Sequence, residues 1–269
     1  MGMEQRPTKA VILARGLGTR MREASASATL DPSAERAANA GVKGMIDVGR
    51  PFLDYLVSAL ADVGITDVCL VIGPEHGMIR EHFDQLHPTR VRIHYAIQRE
   101  PRGTADAVAA AEDFAGEDRF LVVNSDNYYP PETLDALLNA PGAALLGFDR
   151  AALIAQSNIP AERIQAFAIL DVDDAGHLRR IVEKPDAATL AHYGDAPISM
   201  NAWVFTPTIF DAARTIEPSE RGELELASAV MASDGDFTVV PVAAGCLDMS
   251  RRDDIAAVKE RLASIEVNL

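Results

Sequence analysis

Two rhythms of apolar and polar positions alternate along this chain. "KAVILA" (9–14) is a short, continuously apolar run, the pattern of a strand buried on both faces. A glycine-rich turn, "RGLGTR" (15–20), follows it. In "PFLDYLVSALADVG" (51–64), Phe52, Leu53, Leu56, Leu60 and Val63 fall on one helical face, with Pro51 at the start and Gly64 at the end. "DVCLVIG" (67–73) reads as a second strand, 75–86 as a helix and "VRIHYAIQ" (91–98) as a third strand. A helix from about Thr104 leads to another buried strand, "RFLVVNSD" (119–126). Repeated βα units of this length predict an α/β fold with a mostly parallel sheet and helices on both faces.

The pattern changes after about residue 150. "RIQAFAILDVDDAGHLRRIVEKP" (163–185) reads as two strands joined by a turn at Asp173–Gly176, and "ISMNAWVF" (198–205) alternates as a strand does. Helices at about 207–216 and 223–232, a final strand "FTVVPV" and a C-terminal helix complete the prediction. The segment 23–40 is rich in Ala and Ser without an apolar period, and suits either a flexible lid or a weak helix. No Pro/Gly/Ser linker and no internal repeat divides the chain, so one domain spanning 1–269 is expected.

Composition narrows the partners. The 269 residues are 48% hydrophobic and 24% charged, values of a globular chain. With 25 Lys+Arg against 40 Asp+Glu the net charge is −15, which repels phosphate backbones and argues against a nucleic-acid partner. An anionic small substrate would need a local basic pocket or a bound cation. No apolar run approaches the roughly 20 residues that span a bilayer, so no membrane partner is expected. The run from Ala10 to Ala14 is too short for a signal peptide. Cys69 and Cys246 lie far apart, and Cys69 reads as a small buried hydrophobe; a reduced, cytoplasmic protein is expected.

The strongest local signal is "VILARGLGTRMR" (11–22). A buried strand feeds a turn in which Gly16 and Gly18 leave room for backbone N–H groups to approach phosphate, while Arg15, Arg20 and Arg22 add positive charge. The spacing is not that of the Walker A loop, and Met21 fills the third glycine position of the dinucleotide fingerprint. Taken alone, the pattern serves a phosphate loop and a simple turn equally. Asp126, just after a buried strand, taken alone reads as a cap. "DVDDAG" (171–176) lacks the later ligands of a calcium loop, and the six histidines show no metal-binding spacing.

Six segments in order resemble the sugar nucleotidyltransferases, the nucleoside-diphosphate-sugar pyrophosphorylases: "LARGLGTRMR", "GVKGMIDVGRPFLDYLVSAL", "QREPRGTADAV", "VVNSDN", "IVEKP" and "CLDMSRRDDI". The resemblance runs from about residue 9 to the C-terminal helix. It implies a Rossmann-like mixed α/β sheet, with a nucleotide-binding half over about 9–150 and a sugar-phosphate-binding half over about 151–269. It also implies magnesium as cofactor, and a nucleoside triphosphate and a sugar 1-phosphate as substrates. Carried over by position, Ala14, Arg15, Gly16, Gly18, Thr19, Gln98, Gly103 and Thr104 resemble the nucleotide-binding residues. Asp126 and Asp248 resemble the magnesium ligands, Arg20, Lys43 and Lys184 the catalytic cations, and Glu183, Lys184, Asn201 and Glu223 the sugar-phosphate contacts.

Where the family has a small residue, this chain has Arg15; Val42 replaces the usual proline before the lysine, and Cys246, Arg251 and Arg252 replace family residues around Asp248. The expected reaction is magnesium-dependent transfer of a nucleotidyl group to a sugar 1-phosphate, with release of pyrophosphate. Gln98 suits a pyrimidine reader, whereas "GTADAV" is also the wording of adenylyltransferases, so the base stays open. The alternatives are transfer to a non-sugar phosphorylated acceptor and a nucleotide-sensing protein without turnover. Sugar, pathway and any homo-oligomeric state are left open by the sequence.

Overall fold

The computed structural model describes residues 5–16, 18–22 and 32–269, with side chains from residue 35 in the last stretch. Twelve strands follow one another along the described chain: β1 (Lys9–Leu13), β2 (Asp67–Ile72), β3 (Arg92–Ile97), β4 (Phe120–Asn124), β5 (Asn127–Tyr128), β6 (Ala143–Phe148), β7 (Ala168–Val172), β8 (Leu178–Val182), β9 (Ile198–Ser199), β10 (Ala202–Phe205), β11 (Phe237–Val242) and β12 (Leu247–Asp248). Ten of them form one sheet in the order β3-β2-β1-β4-β10-β6-β9-β7-β8, with β11 also on β6. β1, β2, β3 and β4 pair in parallel, as do β6 and β11. β10 is antiparallel to both β4 and β6, and β9, β7 and β8 continue antiparallel. The sheet is therefore mixed, with the longer ladders parallel so that most paired residues are in parallel register, as expected, and it runs without a break across residue 150.

Burial explains the apolar runs. In β1 the residues Ala10, Val11 and Ile12 are fully buried because β1 lies between β2 and β4 with helices on both sides. One core, containing Ile12, Phe52, Leu56, Leu70 and Val123, packs the helix Phe52–Asp62 on one face. The other, containing Val11, Val71, Val108, Phe120 and Phe210, packs the helices Thr104–Ala109, Thr208–Thr215 and Leu226–Ala232 on the opposite face. Among the described residues no helix is long and apolar enough to cross a membrane.

Several expectations are corrected. "ISMNAWVF" is two short strands, because Asn201 takes φ +58° and breaks the ladder between β9 and β10. "FTVVPV" is followed by a further strand, β12, which forms a two-stranded antiparallel ribbon with β5. The helix expected from 223 starts at Leu226. Within 23–40, residues 32–40 are helical, and the remainder of that expectation lies outside the described residues. The turn expected at Asp173–Gly176 is borne out: "DVDDAG" is a hairpin turn in which Asp173 accepts N–H bonds from Ala175 and His177 at 2.9 Å each.

Candidate active site

A cleft of about 400 Å³ opens beyond the carboxyl ends of β1, β3 and β4. Open α/β sheets bind ligands in that position. Ala14, Arg15, Gly16, Gly18, Thr19 and Arg20 line one wall, and Lys43, Gln98, Gly103, Thr104, Asp126 and Glu223 complete it. Twelve of the residues singled out by sequence thus meet at one place.

The glycines of the turn have different reasons. Gly18 has φ +59°, and a Cβ there would lie 2.4 Å from the Gly41 carbonyl oxygen. Packing against the segment that leads to Lys43 thus requires this glycine. A Cβ on Gly16 would meet nothing within 4 Å, so the space beside it is left open toward the cleft. The three arginines also part company. Arg20 stands exposed at the cleft. Arg22 donates to the Ala40 carbonyl at 2.8 Å. Arg15 is buried and turned toward neighbouring loops, donating to the Arg99 carbonyl at 3.2 Å and pairing with Glu75 at 3.2 Å. Its Nε and Nη1 have no partner among the described residues. Of the three arginines expected to add positive charge at the turn, Arg15 and Arg22 direct theirs at the protein's own groups, and Arg20 stands exposed at the cleft.

Lys43 and Asp126 form an ion pair at 2.7 Å, both side chains mostly buried. Burial alone would push the Lys43 ammonium down, but the Asp126 carboxylate, with help from Asp248, carries it above its ordinary value. Asp248 is brought alongside by the β5–β12 ribbon, in which Asp248 is opposite Asn127 and Met249 N donates to the Asp126 carbonyl at 2.9 Å. Burial, then the nearby Asp126 charge, pushes the Asp248 carboxyl up to about 6. Two like charges at one buried position create a demand for a cation. Arg163, which sequence reasoning missed, answers part of it with a 2.7 Å bond to Asp248 Oδ2 and a second bond to Asp254. Ser250 donates to Asp248 Oδ1 at 2.9 Å, and Asn158 clamps the Asp248 backbone at both N–H and carbonyl. Arg163 and Asn158 sit 85 and 90 residues away in sequence, beyond any local pattern.

At the other wall, the Gln98 amide donates to the Gly103 carbonyl at 3.0 Å and to Asp106 at 2.9 Å. Its orientation is thereby set, with Oε1 left as the acceptor. Gly103 takes φ +121°, and a Cβ there would lie 2.4 Å from the Leu224 carbonyl oxygen. Its missing side chain is thus needed first by the chain's own second half. Thr104 Oγ1 accepts the Leu226 N–H at 2.9 Å, so this hydroxyl ties two helices together.

The remaining sequence-selected residues stand outside this cleft. Glu183 lies at the end of β8 in a separate recess with Glu225 and Met231, where loss of hydration and the Glu225 charge raise its carboxyl. Lys184 is exposed and takes φ +44° immediately before Pro185. That backbone region is unusual for lysine, and more so before proline, which favours extended conformations. Asn201 is likewise exposed in the left-handed region. Tyr129, fully buried and missed by sequence reasoning, donates to the Met200 carbonyl at 2.6 Å and so braces the Asn201 bend from a point just beyond Asp126.

A mixed α/β sheet with a glycine turn, a lysine and an acidic pair gathered beyond its strand ends defines a class, and comparison with known proteins gives the family. The sequence model of the nucleotidyl transferases matches residues 9–236, and the chain belongs to that family. The low-salt glycan biosynthesis nucleotidyltransferase of Haloferax volcanii is 32% identical over 82% of this chain, which spans 56% of that relative. A UTP–glucose-1-phosphate uridylyltransferase of the same organism is 28% identical, with 94% of this chain and 96% of the relative covered. The solved structure of a UDP-glucose pyrophosphorylase complexed with UDP-glucose shares the fold at a TM-score of 0.74 and 14% identity, over 97% of this chain and 100% of that one.

Proposed function

We propose that this chain transfers a nucleotidyl group from a nucleoside triphosphate to a sugar 1-phosphate, giving a nucleoside-diphosphate sugar and pyrophosphate. The observation that carries the reading is the pairing of Lys43 with Asp126 beside the glycine turn at the cleft, with Asp248 buried close enough for their charges to interact. The relatives named as uridylyl- and nucleotidyltransferases support the same chemistry.

A phosphate oxygen of the sugar 1-phosphate attacks the α-phosphorus. The bond between the α-phosphorus and the bridging oxygen breaks, and pyrophosphate leaves on the opposite side. No covalent intermediate on the protein is needed, so catalysis rests on positioning and charge neutralisation. Arg20 and Lys43 both line the cleft; in this reading Arg20 holds terminal phosphate oxygens through its planar fork, and Lys43 supplies a point charge to the transferring phosphate. Gln98 and Gly103 shape the base end. Lys184 neutralises the sugar phosphate, and Glu183, Asn201 and Glu223 accept or donate hydrogen bonds at sugar hydroxyls.

Asp126 and Asp248 fit a magnesium ion in donor chemistry: two hard carboxylates on neighbouring segments, with the Asp248 carboxyl raised by burial and then by the Asp126 charge. Among the described residues no third His, Cys, Asp or Glu joins them. Magnesium accepts this arrangement because it is commonly held by one or two carboxylates together with substrate phosphates. Bound there, it would neutralise the charge that builds on the phosphates.

A screen of UTP, dTTP, CTP, GTP and ATP against a panel of sugar 1-phosphates, read by pyrophosphate release, tests the proposal. Release that requires both substrates and magnesium supports it; release from triphosphate alone, or none from any pair, refutes it.

A further inference from the structure

Four residues after Asp248, Arg252 turns back into the protein and is 7% exposed. Its Nε donates to the Met21 carbonyl at 2.9 Å, its Nη1 to Glu35 at 3.0 Å and its Nη2 to the Asn39 side chain at 2.6 Å. Met21 belongs to the helix Thr19–Arg22, which carries Arg20. Glu35 and Asn39 belong to the helix Pro32–Ala40, which leads through Gly41 and Val42 to Lys43. These two elements already touch, at Gly18 over Gly41 and through Arg22 to the Ala40 carbonyl. Arg252 adds a joint between both of them and the segment that carries Asp248.

The chemistry of the joint is specific. All three guanidinium nitrogens are engaged, each with an acceptor on the far side of the cleft's wall. Planar arginine can meet several acceptors at once, whereas lysine offers one point of charge. A buried cation held this way acts as a rigid connector between segments 213–231 residues apart.

We propose that Arg252 is a positioning residue for the triphosphate: it sets the Arg20 turn and the Lys43 segment against the Asp126–Asp248 pair. The inference rests on reading this cleft as a triphosphate site. The sugar end, at Glu183, Lys184 and Asn201, contributes no contact to the joint, so the two substrates should respond differently.

The test uses whichever of the five triphosphates the unmodified chain binds most tightly in calorimetry with magnesium. Arg252→Ala is expected to weaken that binding about tenfold and raise the triphosphate KM in step, with the sugar-phosphate KM changed by less than about twofold. Arg252→Lys should recover part of the loss. Asn39→Ala, which removes one bond and leaves the buried arginine in place, should give a smaller loss and add nothing further to Arg252→Ala. Equal rises in both KM values, or lowered thermal stability with unchanged triphosphate affinity, would overturn the proposal. Triphosphate binding without transfer to any sugar 1-phosphate would defeat the function proposed above and leave the Arg252 comparison readable by calorimetry. Binding of none of the five triphosphates would defeat both.

Discussion

The two ends of the proposed site are built in opposite ways. At the proposed nucleotide end, charged and polar groups are buried, paired and braced: Lys43 on Asp126, Arg163 on Asp248, and the Gln98 amide on Gly103 and Asp106. At the sugar end, Lys184 and Asn201 are exposed and stand on left-handed backbone, while Glu183 faces its own recess. The first end grows from the parallel strands β1 and β4, whose ends are held by neighbours on both sides. The second grows from β8 at the sheet's edge and from the break between β9 and β10. One end is preorganised by packing; the other holds local strain of the kind that concentrates at ligand-binding positions.

The largest effect should come from the acidic pair. Asp126→Asn or Asp248→Asn is expected to lower kcat on the order of a thousandfold at saturating magnesium, through several kcal/mol of lost transition-state stabilisation. Near-normal turnover in either variant would mean that the buried pair is structural and that the contrast between the ends is one of burial alone. Next comes Lys184→Ala, for which a roughly tenfold rise in the sugar-phosphate KM is expected, with triphosphate affinity nearly unchanged in calorimetry. Damage to both substrates would show that the ends are coupled more tightly than the geometry indicates. Smallest is Asn201→Gly. Glycine tolerates the left-handed bend, so stability should hold or rise by up to about 1 kcal/mol while sugar-phosphate binding weakens. A melting temperature that rises with sugar-phosphate kinetics unaltered would return Asn201 to a purely conformational role.

Legibility followed the same division. β1, β2 and β4 were readable because strands buried on both faces leave continuous apolar runs, and the helix Phe52–Asp62 because its period and boundaries agree. β6, which pairs with three other strands, went unread although "AALLGF" is apolar between Pro141–Gly142 and Asp149. The helices Pro131–Leu138, Arg150–Gln156 and Ala187–His192 were also missed; the latter two bury little or nothing and so leave a faint period. In the site, residue types at the turn were legible, but their causes were not. That Gly18 answers to Gly41, Gly103 to Leu224 and Arg15 to Glu75 depends on segments that meet only after folding. Arg163 and Tyr129 carry no local signature for the same reason: each matters through a partner tens of residues away.

The β5–β12 ribbon also has a consequence in time. Asn127 and Asp248 face one another across 121 residues of chain. During synthesis at roughly 5–20 residues per second, Asp126 is made on the order of ten seconds before Asp248. In that interval the parallel strands β1 to β4 can already assemble around the glycine turn, yet the second carboxylate does not exist. The strands that carry the glycine turn and Asp126 thus precede the residues that complete the cleft, Glu223 and Leu224 among them, and Asp248 comes later still. On the proposed function, a chain cut short of Asp248 would lack both the second carboxylate and the Arg252 joint, and would transfer nothing.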